Sequence, residues 1–178
     1  MGLAGSLVAI GIGVALTGSA DARPGQLTQL SGAGACVSQL DTVGLCAAGR
    51  GMNAPDAVAV SPDGRSIYVA SFGVSDLVAG NPGAVAVFRR TAKDGRIAQL
   101  GKKSGCVGAA VTGCAGARAV EGASGLAVSP DGRNVYVSAL GSGSVAAFAR
   151  TATGGLSQLP AAAGCVGGEA RDGCGRAR

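Results

Sequence analysis

The chain has 178 residues, 47% of them hydrophobic and 14% charged, with a formal net charge of +5. That much apolar content excludes a disordered polyelectrolyte and suffices for one globular unit or part of one. The 33 glycines follow no Gly-X-Y period, and with no Trp, three Phe and two Tyr the basic charge lacks the aromatic series that stacks on bases, so nucleic-acid binding is not expected.

Residues 1–22 read as an export leader. An apolar run from Leu3 to Leu16 is followed by Ala20-Asp21-Ala22, a small-x-small pattern of the kind cleaved by signal peptidase. The run is too short, and too broken by Gly and Ser, for a stable transmembrane anchor. It lacks a basic segment ahead of it, so export rests equally on the cysteines. These fall as three local pairs, Cys36 with Cys46, Cys106 with Cys114 and Cys165 with Cys174. None has Cys-x-x-Cys spacing, and the absence of His rules out mixed Cys/His zinc sites. Three short disulfide loops are expected, and no metal or other cofactor. Paired cysteines persist in oxidising compartments, which predicts a secreted, periplasmic or extracellular protein.

After the leader the chain repeats itself. "SPDGRSIYV" (Ser61 to Val69) returns as "SPDGRNVYV" (Ser129 to Val137), 68 residues later. In the same register "GAVAVFRRTAKDGRIAQL" lies over "GSVAAFARTATGGLSQL", and "SGCVGAAVTGC" over "AGCVGGEARDGC". A partial copy, "PGQLTQLSGAGACVSQLDTVGLC", precedes both. The second cysteine of a pair stands fifteen residues before the next SPDGR serine in both places, Cys46 to Ser61 and Cys114 to Ser129. The organisation that follows is a partial unit over 23–52 and full units over 53–119 and 120–178, each with its Cys loop.

Each full unit holds four short strand-like runs. In the second they are Gly125 to Ser129, Asn134 to Leu140, Ser144 to Arg150 and Leu156 to Leu159. Ser-Pro-Asp-Gly joins the first two as a hairpin, with Pro presetting φ and Gly taking the positive-φ exit, so Asp63 and Asp131 are assigned to turn geometry. Repetition of four antiparallel strands predicts an all-β fold of β-propeller blades. A parallel β-helix is also repetitive and Gly-rich, but its coils are shorter and lack regular hairpins.

The stretch "GLAVSPDGRNVYVSALGSGSVAAFARTATGGLSQL" resembles the YVTN-type repeats of the lactonase-like seven-bladed β-propeller superfamily, and the resemblance extends over Pro24 to Gly175. It implies that the SPDG hairpin joins the two inner strands of a blade. It also implies that the first-to-second and third-to-fourth strand turns share one face, while the Cys loops and second-to-third strand connections share the other. The Cys loops lengthen the unit beyond the plain repeat. Two blades and a fraction make an unclosed ring, because known propellers close with four or more. The chain is therefore expected to be the N-terminal part of a longer protein, with association of several copies as the other way to cover the open blade sides.

The variable face is the expected binding face. The connection "FGVSDLVAGNPG" of the first unit is enlarged relative to "LGSGS" of the second, and loops on a rigid scaffold are where binding evolves. Leading into the innermost strands, Asn53 and Asp56 match Glu121 and Ser124 in register; Asn53, Asp56 and Glu121 are the candidate binding residues, presenting oxygen ligands at the mouth of a central channel. The basic residues Arg89, Arg90, Lys93, Arg96, Lys102 and Lys103 read as a solvated rim. No general-base His, Gly-x-Ser-x-Gly elbow, phosphate loop or dinucleotide fingerprint occurs, so no catalytic residue is assigned. Three functions stay open at this point. One is an exported, non-catalytic propeller binding a protein, glycan or cell-envelope component; another, implied by the resemblance alone, is a lactonase-like hydrolase whose catalytic residues lie partly in further blades; the third is a purely structural surface-layer protein.

Overall fold

The computed structural model describes residues 27–39, 44–73, 83–168 and 173–177; the leader and residues 74–82 of the enlarged connection lie outside the described residues. A short leading segment pairs β1 (Val37–Ser38) with β2 (Ala47–Ala48) in parallel. The first full unit follows as β3 (Pro55–Val60), β4 (Ser66–Ser71), β5 (Ala84–Arg90), β6 (Ile97–Gln99), β7 (Cys106–Gly108) and β8 (Ala115–Gly116). The second repeats it as β9 (Ala123–Val128), β10 (Asn134–Ala139), β11 (Ser144–Arg150), β12 (Leu156–Gln158), β13 (Cys165–Gly167) and β14 (Gly175–Arg176).

Both sheets are antiparallel meanders, β3-β4-β5 and β9-β10-β11, whose fourth position is shared by two short strands. Thus β12 pairs with the end of β11 (Phe148↔Gln158, Arg150↔Leu156) and β13 with its beginning (Ser144↔Gly167, Ala146↔Cys165). The sequence pattern ends the fourth strand at Leu159. In the structure a 3-10 turn, Ala161–Gly164, interrupts it and the chain rejoins the same ladder at Cys165. Lys102–Gly105 makes the same interruption in the first unit. The first half of the cysteine loop in both full units is therefore sheet, because the edge of the third strand still offers unpaired N–H and C=O groups there.

The repeated nonapeptide folds as a self-contained turn. Ser61 Oγ donates to Asp63 Oδ1, Arg65 N–H donates to the same oxygen at 3.0 Å, and Ser66 N–H donates to Ser61 Oγ at 2.9 Å. Gly64 supplies the positive φ of 66°. Ser129, Asp131, Arg133 and Asn134 repeat each bond. A local turn this well satisfied fixes hairpin register before any long-range contact forms.

The core lies between the units, not inside either. Alternation along β4 sends Tyr68 and Ala70 to one side, where they join Val85, Val87 and Val107 of the first unit. From the second unit Val135, Val137, Phe148, Leu156 and Cys165 meet them, with Ala119 and Val120 of the linking segment filling the seam. Tyr68, Val85, Val87, Val135, Val137 and Phe148 are fully or almost fully buried, each worth about 1.5–3 kcal/mol of transfer free energy. Two single-layer sheets, each too thin to have an interior, acquire one by stacking sideways. Polar bonds close the same seam at its turn end: Tyr68 Oη donates to Gly154 O at 2.9 Å, and Arg150 reaches Tyr68 Oη (2.9 Å), Asp63 Oδ2 (2.8 Å) and Ser66 Oγ (3.1 Å). Gly154 has φ 89°, and a Cβ there would stand 2.3 Å from Ser66 Oγ, so only glycine admits this approach.

Candidate functional site on the disulfide-braced face

The strands separate two faces. At one end the SPDGR turns sit beside the third-to-fourth strand connections, with Arg90 N–H on Arg65 O at 2.8 Å and Arg150 N–H on Arg133 O at 2.7 Å. At the other end lie the second-to-third strand connections and the cysteine loops, brought together by the pairs Ala84↔Gly108 and Ser144↔Gly167. All three expected disulfides are formed: Cys36–Cys46, Cys106–Cys114 and Cys165–Cys174, with Cα separations of 4.9, 4.8 and 4.8 Å. Each stands one residue ahead of a two-residue parallel ladder, Val37↔Ala47, Val107↔Ala115 and Val166↔Gly175. Isolated ladders that short are marginal. The covalent bridge holds them, contributing about 2–3 kcal/mol per loop in the chain-entropy account.

A second device ties the first two loops each to the following unit. Gln99 Nε2 donates to Arg50 O (2.7 Å) and Gly105 O (2.9 Å), while its Oε1 accepts Arg50 N–H at 2.9 Å. Gln158 does the same for Arg118 O (2.9 Å), Gly164 O (3.0 Å) and Arg118 N–H (2.9 Å). The arginine side chains complete the clasp by donating to carbonyls of the 3-10 turns, Arg50 to Lys102 O and Arg118 to Ala161 O. Sequence reading missed this. Its signal was present in the recurring Gln-Leu of "TQL", "AQL" and "SQL", and in an arginine four residues after the second cysteine at Cys46 and Cys114.

From the clasp the chain turns into the innermost strand. The backbone is left-handed at Ala54 (φ 52°) and at its counterpart Gly122 (φ 64°). Gly73 N–H donates to Asn53 O and Ser142 N–H to Glu121 O, so both candidate residues are anchored by their carbonyls to the second-to-third strand connections. Register slips between Pro55 and Ala57 in β3, and opposite Ser138 and Ala139 in β9. Asp56 and Ser124 are thus the bulged residues of the two inner strands, a device that re-aims a side chain out of the pleat. Asp56 is exposed and Ser124 half-buried. Asn53 borders a hollow of about 260 Å³ whose walls include Val37, Ser38, Gln39, Met52 and Pro55, so the first disulfide ladder forms one side of it.

Among the described residues the buried side-chain atoms left without a hydrogen-bond partner are Arg50 Nε, Asn53 Nδ2, Ser71 Oγ and Glu121 Oε2. Asn53 and Glu121 are two of the three binding residues expected from sequence, and Ser71 ends β4 opposite Pro55 and Ala84. Each unpaired buried polar atom costs about 1–3 kcal/mol. The structure does not join Asn53 to Glu121 directly: they occupy equivalent places in adjacent units, with Phe72 packed against Gly122.

Laterally stacked four-stranded meanders, entered through disulfide-closed loops on one face, define the described residues as a partial, propeller-like all-β fold. No protein-family model and no curated protein matches the chain. Solved structures match in part. A periplasmic gluconolactonase of Pseudomonas aeruginosa is 22% identical over 58% of this chain and 26% of its own, with a TM-score of 0.44. A functionally unknown protein of Desulfotomaculum acetoxidans DSM 771 is 20% identical over 66% of this chain and 28% of its own (TM-score 0.45). A protein of Lactobacillus plantarum is 28% identical over 60% and 27% (TM-score 0.43). The chain thus spans about a quarter of the length of these structures, and the fold assignment rests on its own strand pairing.

Proposed function

We propose that the chain belongs to an exported β-propeller whose disulfide-braced face binds a glycan-bearing or proteinaceous component of the cell envelope without chemical turnover. The carrying observation is the pair of unsatisfied buried atoms on Asn53 and Glu121, at equivalent positions beside the inner strands. An amide donor, carboxylate oxygens and the bulged Asp56 and Ser124 suit a hydroxyl-rich partner, which both donates and accepts hydrogen bonds. Three bridges on the loops limit the ordering cost that a partner must offset. They also support a periplasmic or extracellular location, since cytosolic thiols are kept reduced.

The test is co-sedimentation of the oxidised protein with a cell-envelope preparation, before and after enzymatic removal of its glycan. The double variant Asn53→Ala, Glu121→Ala is expected to weaken binding by about tenfold or more, whereas Arg65→Ala and Arg133→Ala on the opposite face leave it unchanged. Undiminished binding by the double variant overturns the proposal. So does gluconolactone hydrolysis by the wild-type chain that disappears with Glu121→Ala.

A further inference from the structure

A groove of about 410 Å³ lies between the leading segment, at Gly34, Ala47 and Ala48, and the outer strand of the first unit, at Ile97 to Gly101, with Arg50 also lining it. Its walls include the outermost strands of adjoining units, β2 and β6, so it opens on the perimeter and not on the flanks where units stack. Small residues keep it open: at the seam between the two full units the places of Gly34 and Gly101 are taken by Ser104 and Pro160. One wall is an unfinished sheet. β6 pairs with β5 alone, and in that ladder Thr91 N–H donates to Arg96 O and Leu100 N–H to Val87 O. Antiparallel alternation then turns the N–H and C=O groups of Ile97 and Gln99 away from β5, and among the described residues no backbone group meets them. Cations frame the same wall. Lys102 and Lys103 follow β6 directly, are exposed and have no ion-pair partner among the described residues, whereas the second unit has Ala161 and Ala162 there. Arg50 holds Lys102 O and keeps a buried Nε with no hydrogen-bond partner. No carboxylate lines the groove, and Asp94 of the preceding turn is paired with Arg96.

We infer that this groove docks an extended acidic peptide of a partner protein, which adds to the open edge of β6 as a further short strand. Main-chain bonds to Ile97 and Gln99 complete the edge and supply affinity that does not depend on the peptide's sequence. Glycine and alanine walls let a second backbone approach to the interstrand spacing of about 4.8 Å, which bulkier side chains would prevent. Carboxylates just beyond the added strand meet Lys102 and Lys103, and this charge match selects the peptide. Because the lysines follow the C-terminal end of β6, an antiparallel peptide carries its acidic residues at its N-terminal end. An acyl chain would fill the groove but leave the Ile97 and Gln99 backbone groups desolvated and unpaired. A polyanionic glycan would neutralise the lysines but cannot continue the ladder. β12 has a similar edge without the cations and with Pro160 beside it, so the inference is specific to β6. It uses neither Asn53 nor Glu121 and stands independently of the binding reading above.

Amide spectra of the isotope-labelled, oxidised full chain, titrated with the acetylated and amidated peptide Asp-Asp-Thr-Val-Thr-Val, test it. The signals of Ile97 and Gln99 are expected to shift and to gain protection from solvent exchange. Two further peptides, N-methylated at both Val or at both Thr residues, are expected to differ: one loses binding and the other keeps it, because only alternate N–H groups face the β6 edge. The triple variant Gly101→Pro, Lys102→Ala, Lys103→Ala gives the first unit the residues of the second. It is expected to fold, since Pro160 has φ −72° against −73° at Gly101, and Ala161 has φ 46° against 55° at Lys102. Its affinity for the unmethylated peptide is expected to fall by about tenfold or more. No shift at Ile97 and Gln99 up to about millimolar peptide overturns the inference, as does a triple variant that binds like wild type. Equal behaviour of the two methylated peptides overturns strand addition. Oligogalacturonate that shifts Lys102 and Lys103 while the peptide shifts nothing overturns the peptide in favour of an anionic glycan.

Discussion

Asp63 and Asp131 occupy the same place in the same nine-residue word, yet only Asp63 has a partner 87 residues away. Both carboxylates are held below the ordinary range, first by the serine hydroxyl of their own turn and then by a backbone N–H; Asp63, with Arg150 added, is held far below it. The unfolded chain therefore takes up protons first as pH falls. Stability from these groups is complete above the unfolded carboxylate value of about 3.9 and is lost progressively below it. Urea midpoints followed from neutral pH into the acid range should decline accordingly, and Asp63→Asn should flatten that decline more than Asp131→Asn. Turn geometry was legible in Ser-Pro-Asp-Gly. The bond to Arg150 was not, because nothing in a local word states which distant side chain will arrive beside it.

Arg150 makes the same point from the other side. Its side chain is 11% exposed and ties together Tyr68, Asp63, Ser66 and Gly132, whereas Arg90, at the identical sequence position, donates to Gly64 O of its own turn. Arg150→Ala is expected to cost about 1–2 kcal/mol, discounted because Asp63 is partly solvated, and Arg90→Ala about 0.5 kcal/mol or less. Chemical denaturation of both variants, at a protein concentration where the chain is monomeric, reads the difference directly. Equal losses would show that the inter-unit bonds contribute nothing. Of the basic residues read as a rim, Arg89, Lys93, Lys102 and Lys103 are exposed as expected, while Arg90 donates to Gly64 O and Arg96 pairs with Asp94 at 3.4 Å.

Among the elements, the fourth strand departs most from its sequence pattern. β12 ends at Gln158 because that side chain is committed to the backbone of Arg118, and the 3-10 turn from Ala161 carries the chain back to the β11 ladder at Cys165. Gln158→Ala leaves Arg118 N–H, Arg118 O and Gly164 O without this partner and should destabilise by about 1–3 kcal/mol. Amide exchange at Arg118 is the specific readout: acceleration there is expected, and unchanged protection would remove the clasp from the account. The first three strands of the second unit were legible within two residues at either end, because hydrophobic alternation and the Pro-Asp-Gly turn act locally. The split fourth strand was not, because it is set by the free edge of the third strand and by a side chain standing in for a backbone.

On the scale of the whole molecule, the topology decides which connections share a face. Strands of nearly equal length carry the SPDGR turns to one end and the disulfide loops to the other, so Asn53 and Glu121 come to equivalent places without touching. Their register was readable from the 68-residue period. That both would carry an unsatisfied buried atom was not, because burial there comes from the left-handed lead-in at Ala54 and Gly122 and from the packing of Phe72.

By itself the sequence determined the module: four antiparallel strands, a hairpin preorganised by its own side chains, and three disulfides closing short loops. Each of these is written in residues close along the chain, where steric preference and alternation decide. Only the tertiary structure decided what the module is stacked against, and hence why Tyr68 is buried and Tyr136 is not. Identical side chains acquire different roles there because a blade's apolar flank has no interior of its own and takes its environment from whichever neighbour lies beside it.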